Sequence, residues 1–136
     1  MDVTFGYKDE GKCFFGKILR PIAIVSFQNE STKKWLEIAM VVDTGADFSI
    51  LPKYFSEDLG ISLEKDCIKD STVGVGGEQT IYLLKNRTPV KVGSISRDVP
   101  LAFFAGDEVP PLLGRLGFLE TFDVEFLKSH TIVFKP

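Results

Sequence analysis

The chain is poor in the residues that most catalytic and metal sites are built from. It has a single histidine, His130, and two cysteines, Cys13 and Cys67, far apart in sequence. One His offers no partner set for a His-based triad or a zinc site. The cysteine separation fits no metal-binding spacing, so both are expected to be reduced structural thiols. No surplus of one charge exists either: 16 basic against 19 acidic side chains give a net charge of -3. Neither a nucleic acid nor an anionic membrane is therefore expected as partner. Uncharged apolar runs fall well short of the roughly 20 residues that span a bilayer. The opening MDVTFGYKDEGK has no apolar signal-peptide core, which makes a cytoplasmic location the expectation. No repeat, low-complexity tract or linker divides the chain.

What is present suits one compact domain over residues 1–136, with 44% hydrophobic and 26% charged residues. Phenylalanine is abundant at 12 copies, alongside many β-branched residues, Gly and Pro. The pattern is of short strands between frequent turn signals. Strands are expected at 3–7, 22–27, 35–42 and 48–51. A turn is expected at Lys8–Lys12 and a short helix after Pro52, closed by Gly60. A hairpin spans Cys67–Leu84 with its tip at Val73–Gly77. Val90–Val92 and Val99–Phe104 form a strand pair turned at Gly93-Ser94. Leu112-Leu113 is a short buried strand and Arg115–Glu120 a second helical stretch. A final hairpin, 122–126 with 131–134, turns at Lys128–His130. The expected fold class is all-β, a closed or partly open barrel with one or two short helices.

The chemistry concentrates at Asp43. The strand Trp35–Val42 becomes wholly apolar and runs into Asp43-Thr44-Gly45-Ala46-Asp47. An ionised carboxylate is expensive at the end of a buried strand. A hydroxyl and a glycine immediately after it suit a tight turn that brings backbone amides to the acid. Asp-Thr-Gly alone is mostly a turn signal. Its surroundings narrow the reading. Val41 to Leu51 (VVDTGADFSIL) resembles the catalytic loop of retropepsins, the retroviral aspartic proteases and their cellular relatives. Gly74-Val75-Gly76-Gly77 is similar to their flap. Leu112-Leu113-Gly114-Arg115 resembles their second signature, and the three occur in family order.

The resemblance implies an acid-protease barrel, a single lobe that dimerises, and an endopeptidase that uses no metal or cofactor. One carboxylate runs this chemistry poorly, whereas two held side by side share a proton and divide the roles of base and acid. The chain has one Asp-Thr-Gly, so the second carboxylate comes from a second chain and a two-fold axis runs between the two Asp43 side chains. By the same resemblance Thr44 locks the two loops across that axis, and Gly45, Ala46 and Asp47 meet the substrate backbone. Arg115 pairs with Asp47, next to Gly114. Val41, Phe48, Ile50, Pro110 and Leu112 line apolar subsites, with Val73, Gly74 and Val75 closing from the flap. Val73 replaces a common flap glycine, and Phe48 and Leu116 replace common polar residues. The chain also runs past Phe126, where retroviral chains stop, so the terminal strands of the dimer interface are expected to include an extra hairpin. The other class consistent with the pattern is a catalytically silent dimerisation or peptide-binding module. The intact Asp-Thr-Gly and Arg115 argue against it.

Overall fold

The structure, a computed structural model, describes residues 1–74, 77–106 and 108–136. Strands dominate it. They are β1 (Val3–Gly6), β2 (Lys8–Cys13), β3 (Gly16–Arg20), β4 (Ile22–Gln28), β5 (Trp35–Val42), β6 (Ile50–Pro52) and β7 (Cys67–Gly74). There follow β8 (Gly77–Leu84), β9 (Thr88–Val92), β10 (Ile95–Val99), β11 (Ala102–Phe104), β12 (Leu112–Leu113), β13 (Asp123–Leu127) and β14 (Thr131–Lys135). A single α-helical turn, α1 (Phe55–Asp58), and a 3-10 turn at Leu119–Thr121 complete the described residues.

Nine strands form one sheet in the order β10-β9-β4-β5-β12-β6-β11-β8-β7. Alternation decides which face is inside. Ala23, Val25 and Phe27 of β4 and Ile38, Met40 and Val42 of β5 are buried, and the residues between them are more exposed. The sheet curls around this cluster as a half-barrel. The terminal strands form a separate sheet, β1-β14-β13. Phe134 and Ile132 of β14 are fully buried in the same core. The Phe134 ring meets Phe5 at 5.9 Å and Phe122 at 5.4 Å, both edge to face. Each such pair adds about 0.5–1.5 kcal/mol to simple burial. No helix among the described residues is long and apolar enough to cross a membrane.

Three local expectations are revised. Lys8–Lys12 is a strand rather than a turn, paired with β3. Its turn-forming residues mark a bulge: the register shifts between Asp9 and Lys12, Gly11 has φ 99°, and its amide donates to Asp9 Oδ1 at 2.9 Å. The true turn lies at Phe14-Phe15. The partner of β9 is Ile95–Val99, across Gly93-Ser94. Pro100 follows it, and Ala102–Phe104 crosses to pair with β6 and β8. Arg115–Glu120 is helical only at its end: a turn over 115–118 leads into the 3-10 turn Leu119–Thr121. Gly117 takes φ 67°, and a Cβ there would meet Pro100 Cδ at 2.4 Å, so the chain turns before its last 3-10 turn.

Candidate active site

The site forms where β5 ends. β12 runs parallel to β5, with Leu112 opposite Val41 and Leu113 opposite Val42. The backbone pairing continues one residue further: Asp43 N donates to Leu113 O at 3.0 Å. On the other side Val42 N donates to Pro21 O at 2.9 Å. The stem under the acid is thus held from both flanks. The loop then turns on the acid itself, as Gly45 N donates to Asp43 Oδ1 at 2.9 Å and Ala46 N to Asp43 O at 3.2 Å. Asp43 is half-buried, while Thr44 and Gly45 are exposed.

A second segment clamps the far side of the loop. Arg115 N donates to Ala46 O at 3.0 Å and Leu116 N to Asp47 O at 2.8 Å. Arg115 Nη2 reaches Asp47 Oδ1 at 2.6 Å, the ion pair expected from the sequence. Its Nε lies 3.4 Å from Ala46 O. Gly114 is required for this approach: a Cβ there would stand 2.3 Å from the carbonyl carbon and oxygen of Phe48. Ser49, which the sequence reading did not single out, completes the clamp. It is fully buried, and its hydroxyl accepts the Gly114 amide at 3.0 Å. The signal was a lone hydroxyl in the run Phe48-Ser49-Ile50-Leu51.

Asp43, Gly45, Ala46, Asp47 and Arg115 are therefore one hydrogen-bonded assembly, with Thr44 carried in the loop between Asp43 and Gly45, and Gly114 fastened to Ser49. Val41, Leu112 and Ile50 adjoin it, because Leu112 pairs with both Val41 and Ile50. Pro110 is exposed, next to Pro111, whose carbonyl accepts Val41 N. Phe48 is half-buried and lines an apolar recess of about 250 Å³ with Leu83, Leu84, Pro100, Leu101 and Leu116. A larger depression of about 640 Å³ lies elsewhere, against Asp66, Arg87 and Asp98, and takes in no residue of the loop. Its size says less about chemistry than the hydrogen-bonded acid does.

The expected hairpin forms from β7 and β8, with Val73 opposite Glu78 and Gly74 opposite Gly77. Val73 is exposed, and Gly77 has φ 94°. Val75 and Gly76, the expected tip, lie outside the described residues.

The profile of the aspartyl protease family matches residues 30–115, from the turn before β5 to the arginine of the clamp. The chain belongs to that family. No curated protein matches it. Among solved structures it is similar to a retropepsin-like aspartic protease from Rickettsia conorii, with a TM-score of 0.65, 20% sequence identity and 98% of each chain covered. At that identity the likeness establishes the fold, which is retropepsin-like. Membership in the family fits the loop: an acid at a buried strand end, fastened by backbone amides and braced by an arginine.

Proposed function

We propose that residues 1–136 form one lobe of a homodimeric aspartic endopeptidase and that Asp43 of two copies makes the catalytic dyad. The observation that carries this reading is the Asp43 loop itself. It presents a half-buried carboxylate beside exposed Thr44 and Gly45 on a rigidly held stem, and the chain contains one Asp-Thr-Gly. Two such loops facing each other across a two-fold axis cover that exposed surface.

The chemistry follows from two carboxyls sharing one proton. The ionised one takes a proton from water as the water oxygen bonds to the scissile carbonyl carbon. The protonated one gives its proton to the carbonyl oxygen. The carboxyl that took the water proton then gives it to the amide nitrogen, the other takes a proton back from a diol hydroxyl, and the C–N bond breaks to leave an acid and an amine. Water is the only co-reactant, and the reaction calls for no metal or cofactor.

The substrate is an extended peptide. The Gly45 carbonyl and the Ala46 and Asp47 backbone lie beside the acid to receive its main chain. Val41, Ile50, Leu112 and Pro110 supply apolar subsites, and the Phe48–Leu116 recess extends them. Thr44 links the two loops across the axis, and the β7–β8 hairpin, with Val73 and Gly77 near its end, closes as a flap. The free, exposed thiol of Cys13 suits a reducing cytoplasmic setting.

The test is cleavage of a denatured protein mixture across acidic to neutral pH, with wild type and Asp43→Asn. Wild type cuts with a bell-shaped pH profile, is blocked by a statine-containing peptide and ignores a chelator. Asp43→Asn keeps its circular dichroism spectrum and does not cut. A folded Asp43→Asn protein that cuts at the wild-type rate would refute the assignment.

A further inference from the structure

The hairpin of β2 and β3 does little inside its own chain. Every residue of β2 is exposed, and the two strands form a sheet by themselves. At its tip Phe14 is 96% exposed and Phe15 93%, their rings packed edge to face on each other at 5.5 Å. Two bare aromatics at the end of a projecting hairpin are a poor arrangement for an isolated chain.

The roots of this hairpin say where it stands. One limb follows Tyr7, whose amide donates to His130 O at 2.9 Å beside the terminal sheet. The other runs through Arg20 into Pro21, whose carbonyl accepts Val42 N at 2.9 Å, and Ile22 pairs with Val41. The hairpin therefore leaves the body between the terminal sheet and the residue that precedes Asp43. A two-fold axis that brings two Asp43 carboxyls together passes close to that root. Six residues of β2 reach about 20 Å, far enough to lie along a neighbour on the other side of the axis.

We propose that the Lys8–Arg20 hairpin is a dimerisation arm, with Phe14 and Phe15 of each copy buried against the second copy of the chain. This rests on the two-copy reading above. The area is in proportion. Each Phe buries about 150–250 Å², so four of them contribute roughly 600–1,000 Å² towards the ~1,600 Å² of a standard interface. Lys12 stands opposite Lys17 just below the tip, and Asp9 holds Lys17 at 3.5 Å. An apolar tip over two cations also fits an anionic membrane surface, and the test includes that outcome. The position of the root beside the Asp43 loop favours the second copy.

The experiment compares wild type with the Phe14→Ser, Phe15→Ser double variant by sedimentation equilibrium over a wide concentration range. The dimer dissociation constant is expected to rise at least tenfold. The monomer should keep its melting temperature, because the two rings touch little else in their own chain. Activity per dimer should return to the wild-type value once the variant is concentrated enough to pair. In wild type, modification of the Cys13 thiol by a small aromatic disulfide should slow as concentration rises through the dimer transition. An unchanged dissociation constant overturns the arm and leaves the two-copy enzyme intact. An unchanged constant together with Phe-dependent co-sedimentation on phosphatidylserine vesicles assigns the tip to a membrane instead and likewise overturns the proposal. Wild type that stays monomeric and fully active at every concentration removes the arm and the shared site together.

Discussion

The Ser49 hydroxyl joins the two segments of the site, which are 65 residues apart in sequence. Ser49→Ala leaves the Gly114 amide buried without its acceptor, a loss of about 1–3 kcal/mol. Denaturant unfolding should show it as a lower midpoint with an unchanged slope. A midpoint equal to wild type would mean that the amide has found another acceptor. Gly114→Ala should cost more, because its Cβ would overlap the Phe48 carbonyl and the loop must shift to admit it. The two thiols differ in the same residue-level way. Cys13 is exposed, whereas burial, helped by the nearby Asp66 charge, pushes the Cys67 thiol above its ordinary value. A thiol reagent near neutral pH should therefore modify Cys13 first and reach Cys67 only on unfolding. Equal rates in the native protein would show that Cys67 is open to solvent. Asp43 was legible in the sequence because an acid after an apolar strand breaks a local rule. Ser49 was not, because a lone hydroxyl in an apolar run does not name its partner, which lies 65 residues away.

Between elements, the clamp of the Gly114–Leu116 segment on the Asp43 loop is mostly backbone. Arg115 N and Leu116 N hold Ala46 O and Asp47 O whatever the side chains do. The Arg115–Asp47 ion pair adds to this in a solvated place: the two side chains are 45% and 72% exposed. Solvent screening limits such a pair to about 0.2–1 kcal/mol. A double-mutant cycle with Arg115→Ala and Asp47→Asn should return a coupling in that range, fading with added salt. A coupling well above ~2 kcal/mol would show the pair to be desolvated, as it becomes if a second copy covers it. The same scale shows where sequence patterning runs out. The apolar runs at 22–27 and 35–42 announced β4 and β5, and the final hairpin was legible from its turn. β2 was read as a turn because Asp9 and Gly11 carry turn chemistry whether they end a strand or bulge it. Ala102–Phe104 was attached to the wrong neighbour because its partners, β6 and β8, are set by the closure of the sheet. The arginine-bearing segment was read as one helical stretch, in line with the family resemblance. Gly117 instead takes a left-handed conformation there, at a place where Pro100, distant in sequence, leaves no room for a Cβ.

At the scale of the whole molecule, three exposed features stand out. Thr44 and Gly45 are exposed beside a half-buried Asp43, the Phe14-Phe15 tip is bare, and Phe126 and Leu127 are exposed on β13, an edge strand of the terminal sheet. One copy carries one Asp-Thr-Gly, and this count makes a prediction independent of structural detail. Wild-type chains are mixed with Asp43→Asn chains under conditions that let subunits exchange, with exchange confirmed by labelling. Random pairing makes fully intact dimers fall as the square of the wild-type fraction. An equal mixture should then keep about a quarter of the activity of wild type at the same total chain concentration, as symmetric pairing requires. An enzyme complete in one chain would keep about half. Dilution supplies the second arm of the argument: specific activity should drop below the dimer dissociation constant, by mass action. The substitution changes one oxygen to a nitrogen at the acid and leaves Thr44, the terminal strands and the hairpin arm untouched, so it alters chemistry without altering pairing. A straight line of activity against mixing ratio, with exchange complete, would mean that each chain works alone. The carboxylate that assists Asp43 would then have to come from elsewhere in the same chain.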